Sequence, residues 1–161
     1  MVKYLHIIFF LFISLDNIYS QKIYEPNKIS DSQILLDGII GKDEWKNSER
    51  VELVYEIEPA HNTKAKLKTI GYLSYSEKYL YVGIYAFGDP EKVRSAVRSR
   101  DDYGMWNDDV VLIRFDTYTD ARNNILLAVN PRGSQFDVKG IDALTDEERY
   151  DASYNVNFES F

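Results

Sequence analysis

The sequence predicts an all-β fold, and three observations lead to this expectation. Thirteen Tyr and eight Phe, residue types that are enriched in strands, occur among the 161 residues. Several short segments alternate between apolar and polar residues, whereas helical stripes of apolar residues are few. Turn-forming residues separate these segments. Many short strands joined by turns are typical of a β-sandwich, so a sandwich is the expected architecture.

The N-terminus has the order of a secretory signal peptide. A positive charge near the start precedes an apolar run from Leu5 to Leu15, and Ser20 is a small residue at the expected cleavage position. The alternative, a membrane anchor, needs about 20 apolar residues, and this run is shorter. Residues 1–20 are therefore predicted to be a signal peptide. The polar residues 21–33 are predicted to be a leader arm, and residues 34–161 one β-sandwich domain.

Composition restricts the compartment and the partners. The chain has no Cys, which excludes disulfides and a lipidated cysteine. An exported domain without disulfides fits a bacterial periplasm, outer membrane or extracellular surface better than an animal secretion route. The formal net charge of −7 argues against nucleic acid, which selects basic surfaces. This charge is compatible with a cation or with neutral sugars.

The first half of the domain is predicted to contain two strands, one turn of helix and a hairpin. The first three elements are a short strand at Ile34–Leu36, a helical turn at Lys42–Ser48 that carries the core residue Trp45, and a half-buried strand with Val51, Leu53, Tyr55 and Ile57. The hairpin is the clearest local signal, with strands at Leu67–Ser74 and Tyr79–Phe87. Both faces of its second strand are apolar, so this strand is expected to be an interior strand covered on both sides.

The second half is predicted to be mostly strands. The expected strands are Val93–Arg98, Val110–Phe115, Ile125–Val129, Ser134–Val138 and Asn155–Phe161, with a turn of helix at Thr145–Arg149. The last of these strands has no predicted partner, and strand edges are normally protected. We therefore expect that the domain is truncated at its C-terminus and that the chain is a fragment of a larger protein.

Acidic residues gather at both ends of the predicted strand Val110–Phe115, close to Trp106. A buried unpaired carboxylate is costly, so such a cluster suits a metal ion or a polar ligand better than a core. Hard oxygen ligands from several loops suit calcium. The predicted calcium ligands are Asp108, Asp109, Asp116 and Asp120. The alternative is that the acids cap turns and pair with Arg98, Arg100, Arg114 or Arg122.

Six groups of residues resemble, in their order and spacing, the family 9 carbohydrate-binding modules. They are ILLDG at 34–38 followed by DEW at 43–45, KYLYVGI at 78–84, RDD at 100–102, NDDV at 107–110, FDTYTDAR at 115–122 and VNPRGSQFD at 129–137. The resemblance is closer to the family-9-like domain at the N-terminus of large exported bacterial proteins that are often labelled putative hydrolases. It covers the chain from Ile34 onward.

The resemblance implies a jelly-roll-like β-sandwich with structural calcium and a sugar clamped between aromatic rings. Trp106 takes nearly the place of one clamping Trp, and the second clamping Trp is expected in a region that this chain lacks. Asn130 matches a sugar-binding Asn, and Asp108 is predicted to contribute a hydrogen bond to the sugar. Val111 and Ala128 stand where sugar-binding members carry an acid and an Arg.

Three functions follow as alternatives. The first is an exported, non-catalytic carbohydrate-binding domain that recognises a polysaccharide or its chain end. The second is an assembly domain without sugar binding, packed on the β-rich outer-membrane region of its own parent protein. The third is the N-terminal fragment of an exported hydrolase whose active site lies elsewhere. With His61 as the one His after signal removal, a His-based triad is not expected, and whether the parent protein is an enzyme stays open.

Overall fold

The computed structural model describes residues 22–56, 63–120, 122–140, 150–151, 156 and 158–160. These residues form two four-stranded sheets, which confirms the all-β prediction. The first sheet contains β1 (Asn27–Lys28), β2 (Glu49–Glu56), β3 (Thr63–Tyr75) and β4 (Leu80–Ala86), and the second contains β5 (Val111–Phe115), β6 (Asn124–Val129), β7 (Gln135–Gly140) and β8 (Tyr150–Asp151). Two short 3-10 helices, η1 (Pro90–Lys92) and η2 (Tyr103–Asn107), connect them in sequence.

Some predictions concern other parts of the chain. The signal peptide at 1–20, His61 and the helical turn at Thr145–Arg149 lie outside the described residues. No helix in the described part of the chain is long and apolar enough to cross a membrane.

Strand β3 organises the first sheet. It pairs antiparallel with β2 on one side and with β4 on the other, and its last two residues pair in parallel with β1. The predicted hairpin is therefore confirmed as β3 and β4. Its turn is closed by Ser76, whose amide donates to the carbonyl of Tyr79 (2.8 Å) and whose Oγ accepts from the amides of Lys78 (3.3 Å) and Tyr79 (3.1 Å).

The prediction for residues before Trp45 is wrong in two respects. Ile34–Leu36 is not a strand, and part of the predicted leader arm forms β1 instead. Ile29, directly after β1, is buried at 8% exposure, and Ile34 is buried while Leu35 is exposed. Of the apolar run Ile34–Leu36, Ile34 alone is buried in the core. The backbone pairing with β3 is made instead by the more polar residues Asn27 and Lys28.

The predicted interior position of β4 is also wrong. Among the described strands, β4 pairs with β3 alone, so it lies at the edge of the sheet. Leu80 and Tyr85 are 47% and 51% exposed. Apolar residues on both faces of a strand predict cover above and below the sheet, but they do not determine how many neighbours the strand has within the sheet.

The second sheet is a meander in the order β5-β6-β7-β8, and its first three strands match the predicted ones closely. Two other predicted strands are wrong. Val93–Arg98 is extended but belongs to no sheet, because its amides bond to side chains. Val156 and residues 158–160, the described part of the predicted last strand, are not in a strand either. They are held by the side chains of Gln135 and Asp137.

Each sheet has one face covered by a small core. The first cluster contains Ile29, Ile34, Trp45 and Tyr81, with Ile40 and Tyr72 packed against it. The second cluster contains Met105, Leu126, Ala128, Phe136 and Val138, with Val110 packed against it. The pairing register places further apolar residues on the opposite faces, where they are half-buried: Val51, Leu73, Val82 and Ile84 in the first sheet, and Ile113, Phe115, Leu127 and Val129 in the second.

Trp45 is a core residue, as the sequence predicts. It is 7% exposed, its ring lies 6.0 Å from that of Tyr72, and it covers Gly83 in β4. A Cβ at Gly83 would lie 3.0 to 3.2 Å from three carbon atoms of the indole. Gly83 therefore provides the space in which the indole lies flat on the sheet.

We expect Gly83→Val to destabilise the domain by about 1–3 kcal/mol, because overpacking displaces Trp45 from a filled site. Urea unfolding followed by tryptophan fluorescence measures this change. Gly88→Val is the matched control, since a Cβ at Gly88 makes ordinary contact with Leu67 Cδ1 at 3.7 Å. Equal stability of the two variants would contradict the role of Gly83.

Candidate functional site

The extended segment from Val93 to Ser99 lies beside the start of β5 and is fastened by side chains. Every second amide of the segment points the same way, as alternation in an extended chain requires. These amides donate from Arg94 to Asp109 Oδ2 (3.0 Å), from Ala96 to Asp108 Oδ2 (3.3 Å) and from Arg98 to Ser134 Oγ (2.9 Å). The carboxylates and the hydroxyl take the place of a neighbouring strand, which explains why the segment is extended without joining a sheet.

Asp108 is the centre of this arrangement, and its side chain is 5% exposed. Arg98 binds it with both arms of the guanidinium, from Nε to Oδ2 (2.8 Å) and from Nη2 to Oδ1 (2.9 Å). Asn130 Nδ2 also donates to Oδ2 (2.9 Å). The hydrogen bond from Arg98, followed by those from Asn130 and the amide of Ala96, lowers the pKa of Asp108 well below its ordinary value of 3.8. The carboxylate is therefore ionised at neutral pH.

Asn130 connects this ion pair to the turn between β6 and β7. Its Nδ2 donates to the carbonyl of Ala96 (2.7 Å) and to Asp108, and its Oδ1 accepts from the amides of Arg132 (3.0 Å) and Ser134 (3.0 Å). A side-chain amide has two donor hydrogens and two acceptor lone pairs, and all four are used here. At 4% exposure, Asn130 fixes the turn to Asp108.

The helix η2 is held at both ends by acidic residues. Asp102 caps its start by accepting from the amide of Gly104 (2.7 Å), and Asp108 follows its last residue. Met105, in the middle, is fully buried in the second core cluster. A Cβ at Gly104 would overlap the guanidinium of Arg98, so close packing of the helix on the ion pair requires glycine at this position.

Two aromatic side chains of η2 remain exposed. The Trp106 ring is 44% exposed and meets Phe136 edge to face, with 5.1 Å between centroids and 66° between planes. Tyr103 is 61% exposed and meets the same Phe136 ring at 5.3 Å and 78°. Residues i and i+3 lie on the same side of a 3-10 helix, which explains why both rings reach Phe136. The helix therefore presents two neighbouring aromatic rings on a fixed base.

A second ion pair lies next to the first. Asp137 in β7 is fully buried and accepts from Arg100 and from the amide of Val156 (2.6 Å). Arg100 also pairs with Asp101 at 3.7 Å and lies over the ring of Phe158 at 5.4 Å. This pair holds the described C-terminal residues against β7.

The four predicted calcium ligands do not converge. Asp108 and Asp109 precede β5, and Asp116 and Asp120 follow it. A five-residue strand separates the two pairs by roughly 16 Å, at about 3.3 Å per residue. No group of three acidic or histidine residues in the described part of the chain could hold a metal ion. The two pairs therefore lie apart, and Asp108 and Asp109 pair with arginines, as in the alternative that the sequence left open. The calcium site itself stays a prediction from the sequence.

The second acidic pair forms a local loop instead. The Asp116 carboxylate accepts from the amides of Tyr118 (3.2 Å) and Asp120 (3.3 Å). The amide of Asn123, then that of Arg122, and the side chain of Asn123 lower the pKa of Asp120 to about 2. These contacts shape the connection from β5 to β6.

Of the predicted sugar-binding residues, the structure joins Asp108 and Asn130 directly and places Trp106 on the adjacent helix. Both Asp108 and Asn130 are directed inward, whereas Trp106 is at the surface. Sequence reasoning missed Tyr103 beside Trp106. Its position three residues before Trp106 was a usable signal, because residues i and i+3 lie on the same side of a helix.

Comparison with known proteins identifies no relative of this chain. A scan against protein-family models finds no match, and searches of curated proteins and of solved structures find none either. The resemblance to family 9 modules therefore stays a prediction from the sequence.

We expect the Asp108 ion pair to make the stability of the folded state fall at acid pH. Because the pKa of Asp108 is lower in the folded state than its ordinary 3.8, its contribution is complete above about pH 4 and is lost as the pH falls below that value. Thermal melts from about pH 7 to pH 3 should show a lower melting temperature and a shallower acid slope for Asp108→Asn than for the wild type. Asp43→Asn, at an exposed position, is the control. Parallel acid slopes for Asp108→Asn and the wild type would argue against the ion pair.

We also expect calcium and a chelator to leave the melting temperature unchanged, because the arginines already occupy Asp108 and Asp109. A ligand that binds the folded state raises the melting temperature with its concentration. A calcium-dependent rise that Asp108→Asn abolishes would show that calcium displaces Arg98. The same titration with Asp120→Asn tests whether a calcium effect arises at the β5–β6 connection instead.

Proposed function

We propose that this chain is an exported, non-catalytic carbohydrate-binding domain in which Trp106 stacks on a sugar ring. The observation that carries this proposal is that the indole is 44% exposed although Phe136 and the capped helix η2 fix its position. A large exposed ring gains little from the fold, but its flat apolar face suits the C–H face of a sugar. A ring that is already fixed loses little conformational entropy when a ligand binds.

In this proposal Asp108 and Asn130 position the site. Their polar atoms are used within the protein, so they support the platform from below. The exposed side chains next to the rings belong to Asp102 and Asn107. They supply carboxylate and amide groups of the type that bind sugar hydroxyls.

The fold and the location belong to the same proposal. The half-buried apolar faces of the two sheets suit the inner faces of a jelly-roll-like sandwich, since such faces are stable when they cover each other. The predicted signal peptide would place the domain in the periplasm, at the outer membrane or outside the cell.

Calorimetric titration with xylan- and cellulose-derived oligosaccharides tests the proposal. We expect saturable binding by the wild type and its loss in Trp106→Ala, because the stacking face is removed. Tyr79→Ala, at a 60% exposed ring in the turn between β3 and β4, is the matched control and should bind as the wild type does. Near-ultraviolet circular dichroism checks that each variant is folded. A folded wild type that binds none of these sugars would contradict the proposal.

A second candidate is the assembly role, and a specific surface favours it. Leu67, Tyr85 and Phe87 are 62%, 51% and 44% exposed, and the rings of Tyr85 and Phe87 lie 4.6 Å apart. Leu67 lies near Gly88, directly after this pair. An exposed apolar patch of this kind suits a protein partner, such as the C-terminal region of the parent protein. If the domain is folded but binds no sugar in the titration, the result favours the assembly role.

A further inference from the structure

We propose that Tyr103 forms a second stacking position beside Trp106, and that the site holds consecutive rings of an extended glycan chain rather than a single terminal sugar. This inference rests on the proposed function, since it describes the ligand of the same surface. It adds a binding residue and a class of ligand, the interior of a polysaccharide chain.

The geometry of the two rings supports this inference. Both rings are edge-on to Phe136, and both centroids lie within 5.3 Å of its centroid. Phe136 itself is 2% exposed, so the two outer rings are neighbours across one buried ring. Their common base is rigid, because Phe136 lies in β7 and is paired with Ala128 in β6. The result is an aromatic strip, made of the exposed rings of Tyr103 and Trp106 on one buried base.

The exposure of Tyr103 is not explained by core packing. At 61% exposure it is more accessible than Trp106, and its contact with the buried Phe136 is nearly perpendicular at 78°, so much of the ring surface stays open to a ligand. Tyr also has a hydroxyl at the outer end of its ring, which can donate to a sugar oxygen and accept from a sugar hydroxyl.

The surroundings of the strip favour a polyhydroxylated ligand over an apolar protein surface. The neighbouring residues on η2 and at its start are Asp102, with a side chain 43% exposed, and the exposed Asn107. Apolar protein contacts would desolvate these groups without offering them partners, which is costly. Sugar hydroxyls lie around the edge of each ring and can bond to both residues while the ring faces stack.

A length series of ligands tests the inference. The wild type, Tyr103→Ala, Tyr103→Phe and Trp106→Ala are titrated by calorimetry with gluco- and xylo-oligosaccharides from monosaccharide to hexasaccharide. We expect wild-type affinity to increase with the first added rings. Tyr103→Ala should weaken binding of the longer ligands by about tenfold and leave the monosaccharide unchanged. Tyr103→Phe, which keeps the ring and lacks the hydroxyl, should lose much less affinity than Tyr103→Ala.

Tyr118→Ala is the control for loss of an exposed tyrosine. Tyr118 is 68% exposed and follows β5, at the opposite end of that strand from η2, so its removal should not change any affinity. If Tyr103→Ala does not fold, Tyr103→Leu replaces it, because Leu covers Phe136 but has no ring face.

The outcomes separate this inference from the proposed function. Binding that depends on Trp106 but is equally strong in Tyr103→Ala at every ligand length overturns the second stacking position and leaves the sugar site intact. An affinity that does not change from monosaccharide to hexasaccharide in the wild type overturns the chain-interior ligand in the same way. A folded wild type that binds no member of the series overturns both proposals.

Discussion

The carboxylate of Asp108 is the constraint on which the site region depends. It receives the guanidinium of Arg98, the side-chain amide of Asn130 and the backbone amide of Ala96, and so joins the extended segment and the β6–β7 turn to the end of η2. A nearly enclosed carboxylate is costly unless its oxygens are bonded, and here both oxygens are. Removal of any one partner leaves the others with unpaired charge or unused donors, which makes the arrangement close to all-or-none.

The position of the aromatic strip follows from this constraint. Asp108 ends η2, so the ion pair sets where the helix stops, and Gly104 lets the helix approach Arg98. Met105 then points into the second core cluster, while Tyr103 and Trp106 stay outside on the ring of Phe136. A five-residue helix has little stability of its own. Its geometry is therefore imposed by the ion pair on one side and the core on the other.

Around this site, the acidic side chains bind mainly to arginines of the same chain. Arg94 pairs with Asp109, Arg98 with Asp108 and Arg100 with Asp137. These three pairs fasten residues 94–100 to the residues before β5 and to β7. Hydrogen bonds to polar side chains thus replace those of a neighbouring strand along a stretch that belongs to no sheet. The arginines thus neutralise carboxylates that lie beside a hydrophobic cluster.

Much of the fold could be predicted from local pattern. The hairpin of β3 and β4, the three strands β5 to β7 and the core position of Trp45 follow from alternation, turn residues and apolar content, which act between near neighbours in the sequence. The edge position of β4 and the pairing of β1 could not be predicted, because strand order depends on which distant segments meet. The failure at Val93–Arg98 has the same origin, since its partners are side chains from residues 108, 109 and 134.

The sequence by itself determined the residue types of the site, namely an acidic cluster around Trp106 followed by Asn130. Tertiary structure alone decided what these residues do. It directed Asp108 and Asn130 inward to Arg98, separated Asp116 and Asp120 from them by the length of β5, and brought Tyr103 beside Trp106. The physical reason is that a carboxylate or an amide can form hydrogen bonds with many kinds of partner. The packing of segments that are remote in the sequence decides which partner lies within reach.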